Sequence, residues 1–270
     1  MNNIIIEKIN SDDVYLNYTE FDQTKQIYNT NNHWVDGIPP NDYMDVINLS
    51  NAKYWIDNFK TYIKIVINPK EIPWLIKAYK LGQHTFRFPH FFDDELESLL
   101  KSHKHYNYLF EHGNKGYFVR CNNVSLKYGK HGVGPYYDLK SIIESTVTTK
   151  FGHSPLYLNT TSLEYYLIDW VNIIADKEFR VFVYDNEITC ISQQSTTKPN
   201  DELKILSEIE RESTIKEWVK IIYNYWETYI KTKITHISNY SIDIAIIDED
   251  IPYFIEINSF GAEYAAGSAL

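Results

Sequence analysis

The sequence predicts an α+β fold, and two observations carry that prediction. Two segments in the second half of the chain have the alternating apolar pattern of antiparallel hairpins, with a helical pattern between them. Strand and helix patterns are also mixed through the first half of the 270 residues. Antiparallel hairpins mixed with helices are typical of α+β proteins. The length suits one large domain or two closely packed lobes.

Four short strands are expected in the first half of the chain. They span Ile4–Glu7, Tyr62–Asn68, Thr85–Phe88 and Tyr117–Cys121. The second strand alternates apolar and polar residues and ends at Pro69, which cannot continue a paired strand. A turn is expected at Asp36–Pro40, and four glycines fall between Gly116 and Gly134 in the region of the last strand and the loop after it.

Three helices are expected between and after these strands. They span Lys70–Leu81, Asp93–His103 and Leu139–Thr149. Apolar residues in the first helix recur every three or four positions, and Gly82 is expected to end it. Asp93 and Asp94 are expected to cap the second helix, whose leucines share one face.

The second half is expected to hold an extended stretch, a hairpin, an exposed loop, a helical segment and a closing hairpin. These lie at Pro155–Trp170, Glu178–Gln193, Ser195–Asp201, Leu203–Thr232 and Ser241–Asn258. The first hairpin has strands Glu178–Tyr184 and Glu187–Gln193, and it turns at the turn-prone pair Asp185-Asn186. The helical segment is one long helix or two, packed on the sheet.

Composition excludes several classes of protein. The net charge of −10 and pI near 5.4 argue against a general binder of nucleic acid or membrane surfaces, and they require any nucleotide site to gather cations locally. Cys121 and Cys190 lack a zinc-like spacing, so free thiols in a reducing compartment are expected. No apolar run suits a signal peptide or a membrane span, so we expect a soluble cytoplasmic protein. Hydrolase and Rossmann motifs are absent, and the nine histidines lack a ligand spacing.

The closing hairpin is the strongest sign of chemistry. A two-residue loop at Glu249 and Asp250 would place Asp243 directly opposite Glu256, with Asn258 on the same face. Opposed carboxylates repel, and sheets normally avoid such a pair. A divalent cation would turn the repulsion into ligation, and these oxygen ligands suit magnesium. The hairpin therefore predicts a magnesium site, which with so few protein ligands usually includes a phosphate. The alternative is a solvent-exposed face with harmless acids.

Two other segments offer cations. The strand that ends at Arg120 runs into a polar loop with Ser125 and Lys127, and these groups could hold phosphate oxygens. The loop is not a Walker A motif, and a basic residue at a strand end is often only a solvated rim. In the later hairpin, Glu178 and Arg180 share one face of an apolar strand, so they need a partner or a ligand. The alternative is an ion pair between these two residues on a solvent face.

Several of these blocks, taken in order, resemble the cell division cycle protein 123 family, a branch of the ATP-grasp superfamily. The similarity runs from about Phe118 to Gly261. The best-matching blocks are Glu164-Tyr-Tyr-Leu-Ile-Asp-Trp170, Glu178-Phe-Arg-Val-Phe-Val183 and Ile191-Ser-Gln193. Ile255-Glu-Ile-Asn-Ser-Phe-Gly261 is similar to the family's acidic-x-Asn-Pro-Phe/Trp-Gly ending, with Asp243 at the upstream metal-binding aspartate.

The resemblance implies an ATP-grasp fold in which two α+β lobes with antiparallel sheets sandwich ATP. A divergent N-terminal subdomain would span residues 1–84, the first lobe residues 85–162 and the second lobe residues 163–270. Within this frame Tyr165, Tyr166 and Leu167 would form a hinge that contacts adenine through backbone groups, and Arg180 would reach the phosphates as the catalytic residue of any enzyme. The implied ATP-binding residues are Arg120, Ser125, Lys127, Glu164, Tyr165, Tyr166, Leu167 and Arg180, and the implied magnesium ligands are Asp243, Glu256 and Asn258.

The chain also departs from the family pattern. Leu126 stands where the phosphate loop has proline, Glu256 replaces an aspartate, and Ser259 replaces the proline of the closing motif. The second family lysine has no clear counterpart in residues 155–160, so ATP binding could be weakened or need Lys150.

The implied function is that of a chaperone-like assembly factor for translation initiation factor 2, which binds its gamma subunit and uses ATP with magnesium. The alternative is an ATP-grasp ligase that activates a carboxylate as an acyl phosphate for attack by a nucleophile. A third possibility is a scaffold that binds partners without nucleotide. The sequence has no signature of an acceptor substrate that would separate them.

Overall fold

The computed structural model describes residues 4–8, 41–112, 115–150, 152–195 and 199–260, and the expected turn at Asp36–Pro40 lies outside them. The described helices, α1 to α8, are Tyr43–Asn48, Ile56–Phe59, Ile72–Thr85, Asp93–Ser102, Asn107–His112, Leu139–Thr148, Asp201–Lys204 and Glu208–Tyr225. The strands, β1 to β7, are Tyr62–Ile67, Tyr117–Arg120, Leu163–Asp169, Glu178–Tyr184, Glu187–Gln193, Tyr240–Ile247 and Ile251–Ser259. All strand pairs are antiparallel, so the predicted α+β class is confirmed. Among these helices none is both long and apolar enough to cross a membrane.

The chain divides into two compact units, Ile56–Val171 and Met1–Trp55 together with Asn172–Leu270. These boundaries differ from the expected ones after residues 84 and 162. Strand pairing is the reason, because β1 from the expected N-terminal subdomain pairs with β3 from the expected second lobe. Pairing between strands so far apart in sequence leaves no local pattern in the chain.

In the unit Ile56–Val171, helices cover one face of the sheet β1-β3-β2. Alternation directs Ile65 and Tyr165, which oppose each other, into the core that α3, α4 and α6 build on that face. The opposite face carries a row of three directly opposed residues, with Lys64 on β1, Tyr166 on β3 and Arg120 on β2. One face of this sheet therefore builds the core, and the other presents the polar residues.

Gly82 packs α3 against α6 and does not end the helix. A Cβ at Gly82 would lie 2.6 Å from the carbonyl oxygen of Val147, so only glycine allows this approach. The helix continues to Thr85 and ends at Phe86, which has a left-handed φ of 54°. The predicted helix end at Gly82 and the predicted strand Thr85–Phe88 are therefore wrong, and residues 4–8 also form no strand.

In the other unit, the sheet has the order β5-β4-β6-β7, with α8 against its apolar face. Trp218 of α8 packs on Phe179 of β4, with ring centroids 5.5 Å apart. The helix then passes into a π-helical turn, Trp226–Ile230, so the expected helical segment is mostly one helix after the short α7. The opposite face of this sheet carries the polar side chains of the candidate functional site.

The β4–β5 hairpin forms as predicted. Its two turn residues, Asp185 and Asn186, have left-handed φ values of 49° and 58°. Aspartate and asparagine tolerate this conformation better than other non-glycine residues. The turn chemistry was therefore sufficient to locate this hairpin from the sequence.

Candidate functional site

The closing hairpin pairs Asp243 directly with Glu256, as predicted, but by a different route. The turn holds three residues, Asp248–Asp250, and Ile247 pairs with Ile251. That turn would shift the whole register by one residue. A β-bulge at Ile255 restores it, because Ile244 pairs with Phe254 while Asp243 pairs with Glu256. The predicted two-residue loop is therefore wrong, and the predicted carboxylate pair is confirmed.

Directly opposed residues form one polar row across all four strands. The row contains Ser192 on β5, Arg180 on β4, Asp243 on β6 and Glu256 on β7. Residues opposite one another in antiparallel strands lie on the same face with Cβ atoms roughly 5 Å apart. The sheet thus places a guanidinium beside the two carboxylates that the sequence predicted to be opposed.

Arg180 binds Asp243 through a two-pronged contact. Its Nε donates to Oδ1 of Asp243 and its Nη2 donates to Oδ2, each at 2.8 Å. The two residues are 8% and 2% exposed, so water screens the pair very little. Asn258 Nδ2 donates to Oδ2 of the same carboxylate at 3.4 Å. Arg180, which was expected to need a partner or a ligand on an apolar strand, therefore has Asp243 as a cross-strand partner.

The local charges keep Arg180 ionised. Burial acts to lower the pKa of this guanidinium, but the hydrogen bonds and charge of Asp243 outweigh burial and raise the pKa above its ordinary value. The charges of Glu256 and Glu178 act in the same direction. Three carboxylates therefore place a negative potential at one buried cation.

The residues fit a divalent cation in type. Asp243, Glu256 and Asn258 offer oxygen ligands from neighbouring positions on one face. Ser241, opposite Asn258, has a fully buried hydroxyl with no hydrogen-bond partner among the described residues. Such a hydroxyl costs about 1–3 kcal/mol, so this face can accommodate a further polar group. Within the described ranges no three His, Cys, Asp or Glu residues cluster as a metal site, so a metal here would need Asn258 as its third protein ligand.

In the unit Ile56–Val171, Arg120 lies buried at the end of β2 with 3% exposure. Its backbone pairs with Ser125 in an isolated β-bridge, and its Nε donates to the carbonyl oxygen of Cys121 at 3.3 Å. Ser125 is half-buried beside it, whereas Lys127 is exposed, with its Nζ 5.5 Å from the centre of the Tyr128 ring. The structure therefore brings Arg120 and Ser125 together in this loop and leaves Lys127 on the surface.

The loop after β2 is anchored to α6. Lys130 Nζ and His131 Nε2 lie 2.8 Å and 2.7 Å from Oε2 of Glu144. Burial raises the pKa of Glu144, but the hydrogen bonds from Lys130 and His131 bring the pKa below its ordinary value. The glycine-containing loop is thus pinned by an ionised side chain.

Sequence reasoning missed Lys60, which precedes β1. Burial, and then the positive charge of Arg120, lower the pKa of Lys60 to about 7. A lysine with this pKa gains a proton readily when an anion approaches. No sequence motif marks this position, because its proximity to Arg120 depends on the pairing of β1 and β2 with β3.

The expected hinge residues lie in the central strand of their sheet. Tyr166 and Leu167 pair with β1 on one side and with β2 on the other, and their backbone groups are therefore directed at those strands. The side chain of Tyr165 is buried in the core, where its hydroxyl lies 2.8 Å from Oγ1 of Thr146. The backbone groups of Tyr166 and Leu167 are thus used in sheet pairing, and the expected contact of these three residues with adenine stays a prediction.

Glu164 is part of a surface ion pair. Lys64 Nζ lies 3.0 Å from Oε2 of Glu164, and the hydroxyl of Tyr166 donates to the same oxygen at 3.3 Å. Both charged side chains are more than one third exposed. Its assignment to ATP binding stays a prediction.

The model of the D123 family matches residues 137–266. This part of the chain is similar to the D123 domain. The resemblance to the cell division cycle protein 123 family is thereby confirmed. The matched region includes Arg180, Asp243, Glu256 and Asn258, whereas Lys60 and the loop at Arg120 precede it. Comparison with curated proteins gives no match.

Two solved structures share the fold. Cdc123 from Schizosaccharomyces pombe has a TM-score of 0.50 and 15% identity, over 80% of this chain and 85% of that chain. Its C-terminally truncated form has a TM-score of 0.50 and 16% identity, over 80% and 86%. D-alanyl-alanine synthetase A from Vibrio cholerae is less similar, with a TM-score of 0.33 and 14% identity over 80% of this chain and 56% of that chain.

Proposed function

We propose that this chain binds ATP together with magnesium. The observation that carries the proposal is the row of Arg180, Asp243 and Glu256 on one face of the region that matches the D123 family, with Asn258 next to it. Arg180 and Asp243 are buried, and Glu256 is half-buried. Carboxylate and amide oxygens suit magnesium, and a guanidinium fork suits phosphate. This chemistry also fits the ATP-binding function that the family resemblance implies.

Cations in the unit Ile56–Val171 support the proposal separately. Arg120 is buried and its backbone pairs with that of Ser125. Burial, and then the charge of Arg120, lower the pKa of Lys60 to about 7. Two neighbouring basic groups, one of which titrates near neutral pH, suit a polyphosphate.

The test is ligand-induced thermal stabilisation of the full chain. ATP plus magnesium at one hundred times the dissociation constant should stabilise the wild type by about 2.7 kcal/mol. Asp243→Asn and Glu256→Gln should lose most of this stabilisation, whereas Asp248→Asn, at the exposed turn of the same hairpin, should keep it. The stabilisation by ligand is compared within each variant, so a general loss of stability does not affect the result. Equal stabilisation of all four proteins would reject the proposal.

We further propose that this protein is a cytoplasmic, chaperone-type assembly factor for translation initiation factor 2 and that it uses the nucleotide in this role. The confirmed family resemblance and the match to the D123 family support this proposal. The tagged chain should retain the gamma subunit of that factor in a binding assay with purified proteins, and ATP plus magnesium should change the affinity. ADP formation that depends on an added carboxylate, without retention of the gamma subunit, would instead support the ligase alternative.

A further inference from the structure

Arg180 and the predicted metal make competing demands on Asp243. Both carboxylate oxygens of Asp243 accept a hydrogen bond from the guanidinium, each at 2.8 Å. The resemblance assigns Asp243 to magnesium and Arg180 to phosphate. In the geometry observed, the side chain assigned to phosphate is instead bound to the side chain assigned to the metal.

Arg180 already supplies the positive charge that the opposed carboxylates of Asp243 and Glu256 require. Asp243 and Glu256 are opposed across the strands, and two such carboxylates repel each other. Arg180 lies opposite Asp243 on the other side, so its charge offsets that repulsion. A second cation on Asp243 would be repelled by the first at short distance in a site with little water.

The orientation of Asn258 matches the guanidinium-bound arrangement. Its amide presents Nδ2 to Oδ2 of Asp243 at 3.4 Å. A divalent cation on Asp243 would need the amide oxygen on that side, because an amide nitrogen is a donor and repels a metal. Metal binding would therefore require Arg180 to leave and the Asn258 amide to turn.

We propose that Arg180 and a divalent cation compete for Asp243, so that the protein binds the cation poorly alone and well together with a polyphosphate. Phosphate oxygens accept an arginine fork as carboxylate oxygens do, so a polyphosphate gives Arg180 another partner and releases Asp243. The part of the proposal that concerns polyphosphate rests on the proposed function, whereas the competition between Arg180 and the metal does not.

The test measures binding of the metal alone. The full chain is titrated with MgCl2 and, separately, with MnCl2 without nucleotide, by calorimetry and thermal shift. Arg180→Gln should bind the metal at least roughly tenfold more tightly than the wild type, within the range usual for coupled binding. Arg180→Lys should bind with intermediate affinity, because an ammonium group makes a point contact and leaves one carboxylate oxygen less engaged. Arg87→Gln, an exposed arginine in the other unit, is the control and should match the wild type.

Each outcome of this experiment decides the question. Arg180→Gln that folds only when MgCl2 is present supports the competition, since the metal then replaces the missing charge. If Arg180→Lys binds the metal no more tightly than the wild type, and Arg180→Gln either does the same or stays unfolded with metal, the competition is refuted.

The nucleotide proposal fails separately from this one. If ATP adds no stabilisation beyond that of magnesium alone in any of the proteins while Arg180→Gln gains affinity for the metal, the competition stands and the nucleotide proposal fails. If ATP plus magnesium stabilises the wild type while neither arginine variant gains metal affinity, the nucleotide proposal stands and the competition fails.

Discussion

Arg180 and Asp243, which are 63 residues apart in sequence, are bound by two hydrogen bonds of 2.8 Å on adjacent strands of one sheet. The pair is almost fully buried, with side-chain exposures of 10% and 3%. Burial of two charges is costly, and their attraction compensates only while both partners are present. The first prediction follows from this mutual dependence.

The losses of stability from the two single substitutions should add up to far more than the loss from the double substitution. Arg180→Met or Asp243→Leu alone should lower the free energy of unfolding by about 3–5 kcal/mol, because each leaves an uncompensated buried charge. The double variant should be much more stable than the sum of the two losses predicts, as measured by urea denaturation. As a control, Lys216→Met breaks an exposed pair with Glu212 on α8 and should cost less than about 0.5 kcal/mol. Additive losses at Arg180 and Asp243 would contradict the prediction.

Lys60 should make stability depend on pH in the neutral to alkaline range. Its pKa is lowered from 10.5 to about 7, first by burial and then by Arg120. Between these values the unfolded chain binds a proton that the folded chain does not, so this residue reduces stability as the pH falls through that range. Lys60→Met should therefore gain more free energy of unfolding at about pH 7 than at about pH 9.5.

Lys64 is the matched control for that experiment. A hydrogen bond to Glu164 raises the pKa of Lys64, so its contribution is present at neutral pH and is lost as the pH rises through the raised pKa. Lys64→Met should accordingly show no extra gain at neutral pH. If both variants gained more free energy of unfolding at neutral than at alkaline pH, the lowered pKa of Lys60 would be contradicted.

Gly82→Ala should destabilise the protein although alanine is the better helix former. The new Cβ would meet the Val147 carbonyl oxygen at 2.6 Å, and backbone cannot move away easily. We expect a loss of about 1–3 kcal/mol, as for other overpacked sites. Lys80→Ala on the exposed face of the same helix should change stability by less than about 0.5 kcal/mol. Thermal unfolding of both variants decides the matter, and a stabilised Gly82→Ala would refute the close contact between α3 and α6.

Glu144→Gln should loosen the loop that follows β2. The substitution removes the charge that holds Lys130 and His131, and we expect a loss of about 1 kcal/mol with faster tryptic cleavage at Lys130. The lowered pKa of Glu144 means that its contribution is present above its ordinary pKa and is lost as the pH falls through the lowered value. The difference from the wild type should therefore shrink as the pH falls below the ordinary pKa of a glutamate. Glu97→Gln, exposed on α4, should leave cleavage unchanged.

Local signals were sufficient for much of the fold. The turn pair Asp185-Asn186 located the β4–β5 hairpin with its observed strand bounds, and alternation located β1 and β2 to within a residue. The prediction that the helix ends at Gly82 was wrong because this glycine allows a close contact with α6. Glycine at a helix end and glycine at a helix crossing look alike in sequence. The resemblance alone assigned Tyr165, Tyr166 and Leu167 to adenine, and their place in the central strand, between β1 and β2, has no local sign in the sequence.

The sequence by itself determined that two alternating strands joined by a short turn bring Asp243 and Glu256 close together. Their direct opposition also depends on the β-bulge at Ile255, which compensates for the three-residue turn. The tertiary structure decided which cation stands beside them. Arg180 contacts Asp243 because the sheet has the order β5-β4-β6-β7. The charge of Arg120 contributes to the lowered pKa of Lys60 because β1 and β2 both pair with β3. A hairpin depends on residues that are close in sequence, so local patterns can predict it. Sheet order depends on contacts between distant segments, so only the tertiary structure reveals it.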